Sequence, residues 1–243
     1  MTNGKNLADL KDYILENLVT GGTIYLLGGD AAVPEAVENA LAGLGTIIRL
    51  AGDSRYDTNL EILKEAGVGH EDIFVCTGKN FADSLSASAA KKPILLVNNK
   101  VLSDTQKTFL EENVKGSIYI IGGESAVNAT IEEELSVYGK TERISGSTRY
   151  ETSVLFAQKF FEAPKHAVLA SAKNFPDGLC GGALAMSLDA PLILTADGKV
   201  DEAVSYMSEN GISTGFVLGG DAVISDESAN LVFGLNPDTE LIY

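Results

Sequence analysis

Apolar residues along this chain gather in short, nearly continuous runs rich in β-branched side chains, at 23–27, 46–50, 72–76, 94–97, 117–121, 167–170, 192–194 and 215–218. Runs that do not alternate apolar with polar positions fit strands buried on both faces. The segments between them carry helical spacing instead: 33–44 and 127–138, 58–67 and 152–162, 83–91 and 177–188, and 103–113. Pro34 suits a first helical position, and Ser103-Asp104 suits a helix start. Strand–helix alternation of this kind predicts an α/β fold with a largely parallel sheet flanked by helices, Rossmann-like or Toprim-like. No Pro/Gly/Ser-rich linker interrupts the pattern, so successive units are expected to pack directly on one another.

The pattern is a repeat. Arg49–Thr58 returns as Arg143–Thr152, 94 residues later, and Lys79–Asp83 returns as Lys173–Asp177 at the same offset. Pro93-Ile94-Leu95-Leu96 has its counterpart in Pro191-Leu192-Ile193-Leu194. A strand ending in Gly-Gly-acid occurs three times, with Asp30, Glu124 and Asp221 as the acids. The chain therefore reads as the back half of one unit (1–48) followed by two full units (49–142 and 143–243). Repetition of this kind points to an array, and arrays more often build binding surfaces than single catalytic centres.

Each motif has a structural and a functional reading. The Gly-Gly turns lack both the Gly-x-Gly-x-x-Gly and the Walker Lys-Ser/Thr patterns, and an acid stands where a phosphate would lie. Asp30, Glu124 and Asp221 are better placed as acids near helix N-termini. Arg55 and Arg149, with Tyr56 and Tyr150, either tie neighbouring units together or hold an anion or a sugar: a guanidinium fork suits carboxylate and phosphate, and an aromatic face suits a sugar ring. Lys79 and Lys173 add charge if their loops converge on those arginines. Thr58 and Thr152 are expected to cap the helices that follow, with Glu61 three residues after Thr58. The small residues of 84–90 and 178–185 allow close backbone approach, either within a unit or between units. Gly178-Leu179-Cys180-Gly181-Gly182 resembles a nucleophile elbow, but no histidine follows it, and the first unit has Ser86 at the position of Cys180. His70 and His166 sit in loops before strands, without zinc-ligand spacing. No catalytic residue, metal or cofactor is expected.

A net charge of −16 argues against nucleic-acid and anionic-membrane partners, and any anionic ligand would need a local basic cluster. The two cysteines, Cys76 and Cys180, occupy non-equivalent positions and are read as free, buried thiols. No run approaches the length of a membrane span, and the first residues lack the basic and apolar segments of a signal peptide.

Taken in order, these motifs resemble the cell-wall-binding repeat 2 family of Gram-positive surface proteins. The resemblance implies non-catalytic modules, usually three in a row in a pseudo-threefold triangle. Such modules hold a protein at the cell wall, outside the cell, by binding an anionic secondary wall polymer. The family's implicated arginine and Pro-Ile-Leu-Leu segment map onto Arg55, Pro93, Ile94, Leu95 and Leu96 in one unit. In the next they map onto Arg149, Pro191, Leu192, Ile193 and Leu194. The residues alone leave open which arginine of each pair, Arg49 or Arg55 and Arg143 or Arg149, is the binding one. With two units and a fragment, self-association could complete a three-module arrangement. Two alternatives stand beside this reading: a structural or assembly domain without polymer binding, and a small α/β hydrolase-type enzyme using Cys180 or a loop carboxylate.

Overall fold

The computed structural model describes residues 7–69 and 71–236. His70 and the chain ends at 1–6 and 237–243, which belong to the outer sequence units, lie outside the described residues. The chain divides into two compact units, 1–68 and 69–243.

The first unit runs α1 (Leu7–Asn17), β1 (Thr23–Leu27), α2 (Glu35–Leu41), β2 (Thr46–Leu50) and α3 (Arg55–Glu65). Its two strands pair in parallel. Leu26, Val37 and Leu41 form a small core, with Ile14, Ile24 and Ile47 packed around it.

The second unit holds two parallel sheets. The first is built from β3 (Ile73–Thr77), α4 (Ala82–Ala87), β4 (Ile94–Val97), α5 (Asp104–Asn113), β5 (Ile118–Ile121), α6 (Ala129–Leu135) and β6 (Thr141–Ile144), in strand order β4-β3-β5-β6. After α7 (Arg149–Phe160), the second is built from β7 (Ala167–Ser171), α8 (Gly181–Leu188), β8 (Leu192–Thr195), α9 (Asp201–Asn210), β9 (Gly215–Val217) and α10 (Asp226–Val232). Its order, β8-β7-β9, repeats the first three strands of the other sheet.

The predicted α/β class holds, with parallel sheets flanked by helices. The eight apolar runs all become strands, shifted by at most a residue or so at their ends. Four elements lie outside the predicted set: α1, α9, α10 and β6. The strand β6 reads Thr-Glu-Arg-Ile at a sheet edge and buries only Ile144, so its apolar signal is faint. The sequence boundary at 142/143 falls inside this strand, so sequence unit and sheet are out of phase.

Two caps differ from expectation. Ser54 and Thr148 are the N-caps of α3 and α7, accepting from Asp57 N and Glu151 N respectively. Thr58 and Thr152 lie a turn further in, where each hydroxyl accepts from a glycine ahead of the helix, Gly52 N and Gly146 N, both at 3.0 Å. Ser103 caps α5 in a full capping box with Gln106, as its sequence suggests.

Helix α7 belongs to two cores at once. Phe156 packs with Phe74, Cys76 and Ile121 of one sheet, while Val154 and Ala157 pack with Ala167, Leu169 and Ile193 of the other. The small residues of α4 serve the same junction. Ala82, Leu85 and Ala89 share a core with Val168, Ala170, Ala185 and Leu192. Gly182 is required there, because a Cβ at that position would overlap the Ser88 hydroxyl. The small-residue helices thus meet between repeats.

Candidate functional site

The structure separates the two arginines of each pair. Arg143 is bound into the fold: Nη1 donates to Gly122 O at 2.7 Å, Nη2 to Val127 O at 2.9 Å, and Nε and Nη2 to Glu132 Oε2 at 3.1 and 2.6 Å. Arg49 repeats this arrangement with Gly28 O, Val33 O and Glu38. Both guanidiniums tie the Gly-Gly turn to the helix after it. Four hydrogen bonds hold each of them in the architecture, which makes Arg149 and Arg55 the better candidates to meet a ligand.

Arg149 is the first residue of α7 and opens onto a cleft of about 380 Å3. Lys79, Asn80 and Asp83 come to this cleft from the loop and first turn after β3, Gly123 and Ser125 from the Gly-Gly turn after β5, and Ser147 and Thr148 from the start of α7. The predicted convergence of the lysine loop with the arginine therefore occurs, and it joins consecutive repeats. Nη1 of Arg149 donates to Ala172 O at 2.6 Å, and its guanidinium lies 5.8 Å from the centre of the Phe81 ring. A guanidinium has five N–H donors, so this anchoring leaves donors directed to the cleft. Asn80 shapes the loop by accepting from Phe81 N at 2.8 Å.

Among the described residues, Asp83 is the one acid lining the cleft. Burial pushes its carboxyl up to about 6, against the opposing pull of Arg149. Gly122 has φ +108°, and a Cβ there would stand 2.5 Å from Asp83 Oδ2, so only glycine lets the carboxylate settle against the turn. Asp83 was not singled out from the sequence beyond its place in Asn-Phe-x-Asp. Its role emerges only once α7 covers that motif.

The remaining predicted residues divide by exposure. Pro191, Leu192, Ile193 and Leu194 are buried, the last three forming most of β8. Pro93 and Ile94 are half-buried, as is Leu96, and Leu95 is fully buried. The hydroxyl of Ser153 on α7 accepts from Leu194 N at 3.1 Å, so the Pro-Leu-Ile-Leu strand fixes the helix that carries Arg149. Tyr150 packs against the core beneath the cleft. Lys173 is exposed in the corresponding loop after β7. Arg55 and Tyr56 open α3 in the other compact unit, with Arg55 exposed and Tyr56 half-buried.

One prediction on the cysteines fails. Cys76 is fully buried, and its thiol is pushed well above the ordinary range, by burial first and by the charge of Asp83 second. Cys180 is free but exposed, because the chain reaches α8 through a surface turn. His166 precedes β7 and its Nδ1 pairs with Thr214 Oγ1 at 2.9 Å, whereas Cys180 follows that strand. Asp221 does sit at a helix start, its carboxylate accepting from Asp226 N at 3.0 Å.

The sequence matches the profile of Cell wall binding domain 2 (CWB2) over residues 49–132 and 143–229, well over half of its length. The chain belongs to the CWB2 family. It is 28% identical to the amidase enhancer of Bacillus subtilis (strain 168) over 213 residues, covering 85% of this chain and 29% of that protein. It is also 28% identical to the N-acetylmuramoyl-L-alanine amidase LytC of the same strain over 246 residues, covering 91% of this chain and 48% of that one. The chain thus spans less than half the length of either relative. Among solved structures it resembles Cwp8 from Clostridium difficile, with a TM-score of 0.77 and 25% identity over 89% of this chain and 39% of that one. The fold is shared with Cwp6 from the same organism, at a TM-score of 0.78 and 21% identity over 96% of this chain and 38% of that one. The two family matches begin at Arg49 and Arg143, and each of these arginines ties itself to the Gly-Gly turn and helix that precede it. No described helix is long and apolar enough to cross a membrane.

Proposed function

We propose that this CWB2 chain attaches a surface protein non-covalently to an anionic secondary polymer of the cell wall, outside the cell, and catalyses nothing itself. The observation that carries this reading is the meeting of Lys79 and Arg149 in one cleft, from successive repeats, in a chain whose overall charge is −16. Local cations can hold an anion despite a distant negative field, because exposed charges beyond about 10 Å are largely screened at 0.1 M salt. Ser147, Thr148 and Asn80 supply neutral donors beside the two cations, as a phosphodiester or acidic sugar requires. The Pro-Ile-Leu-Leu and Pro-Leu-Ile-Leu strands act from beneath, by setting the helices and loops that meet the polymer. Arg55 and Tyr56, and Lys173, are the matching halves of further clefts of the same kind.

Co-sedimentation with purified walls tests this, before and after hydrofluoric acid removes phosphodiester-linked polymer. Retention on intact walls, loss on stripped walls and weakened retention of Arg149→Ala are expected. Equal retention of Arg149→Ala and the native chain would take the arginine out of the mechanism.

An assembly role is the second reading. It is favoured by the two-stranded sheet of the first unit, where Tyr25 and Leu27 are about half exposed. Sedimentation equilibrium separates the two: self-association without wall binding supports assembly. The hydrolase reading has little support, since His166 and Cys180 stand at opposite ends of β7.

A further inference from the structure

We propose that Asp83 is a proton-linked specificity residue of the cleft: an anionic ligand is admitted when its carboxyl is protonated and repelled when it is ionised. The proposal rests on the cleft being the anion site. Asp83 stands in the first turn of α4, lines the same space as Lys79 and Arg149, and is packed against Gly122 of the Gly-Gly turn. As a carboxylate it spends part of the positive field that an anion needs and presents lone pairs to the anion's oxygens. As a carboxylic acid it presents an O–H donor instead. Binding an anion therefore draws a proton onto Asp83.

The surroundings let this carboxyl change state near neutrality. Burial raises it to about 6, a window in which phosphodiesters keep a constant charge. The other ionisable groups around it do not replace it. Cys76 on β3 is buried and held as the thiol. Lys79 on the loop and Arg149 on α7 are the two basic side chains of the cleft. Tyr150 of α7 is packed in the core beneath. Glu124 of the Gly-Gly turn is exposed, and Glu151 of α7 is engaged by Ser147 N at 2.6 Å. Arg143 of β6 is paired with Glu132. The equivalent Asp177 is exposed, which makes it an internal control.

Titrating the full chain with phosphate-rich polymer released from walls tests the inference. For a carboxyl near 6, affinity should rise about tenfold from pH 7 to pH 5. Asp83→Asn should bind with little pH dependence and at least as tightly as the native chain at pH 7, while Asp177→Asn should keep the native profile. Calorimetry at pH 7 in buffers of different ionisation enthalpy should show uptake of about one proton per cleft in the native chain and none in Asp83→Asn. A native profile that is flat in pH, or one that Asp83→Asn retains, overturns the inference and leaves the cleft reading standing. Absence of binding at every pH overturns both.

Discussion

Lys79–Asp83 and Lys173–Asp177 are one motif in two settings. The local turn is the same: Lys79 N donates to Thr77 Oγ1 and Lys173 N to Ser171 Oγ, both at 3.2 Å. The cover is different. Over the first copy, α7 brings Arg149 above the Phe81 ring and closes a cleft in which Asp83 loses water. In the second copy Phe175 is 40% exposed and Asp177 faces solvent. A repeat thus carries its own geometry, but the burial and the second basic side chain that complete the cleft come from the next repeat.

The same division separates Arg143, which serves its own sheet, from Arg149, which serves its neighbour, and this is where the largest effect is expected. Arg143→Ala leaves the Gly122 and Val127 carbonyls and the Glu132 carboxylate without their donor, and should cost about 3 kcal/mol in urea unfolding. Arg149→Ala loses one carbonyl bond and a ring contact and should cost about 1 kcal/mol while weakening wall binding more. Equal costs would erase the distinction.

The two aspartates sharpen the comparison next. Asp83 has a folded value raised above its unfolded one, so the native state holds its proton more tightly. The ionised form is penalised, and stability falls as pH rises from about 4 to about 6, then stays level. Asp83→Asn should therefore raise stability at pH 7 by about 3 kcal/mol and leave it nearly unchanged at pH 4, read from melting curves at both pH values. At the exposed Asp177 the same substitution should stay within about 0.5 kcal/mol. Matching shifts at the two sites would mean that the cover contributes nothing.

A further test is at the helix that provides the cover. Thr148→Ala removes the N-cap of α7 and should cost about 1 kcal/mol. A larger loss of polymer binding than of stability would show that Thr148 serves the cleft as well as the helix.

Much of this was legible in the sequence. Continuous apolar runs such as Ile73–Thr77 announce strands buried on both faces, and the motif order announces the family. What stayed hidden depends on contacts between distant residues. The sequence shows two arginines per repeat but not that Glu132 and two carbonyls consume one of them. It shows Asn-Phe-x-Asp twice but not that only one aspartate is covered. Thr152 resembles a cap because it sits next to a helix start, yet Thr148 has the extended backbone that a cap needs. Cys180 sits in a run of small residues that suggests burial, yet the turn before α8 carries it to the surface.

Because α7 is built into the cores of both neighbouring sheets, the repeats from residue 73 to residue 232 are not beads on a string. A load applied to one sheet is passed through a rigid helix to the next, with no swivel between them. Neither sheet can melt without stripping the apolar face of the helix that the other relies on. A chain built this way yields as a single piece or holds as one.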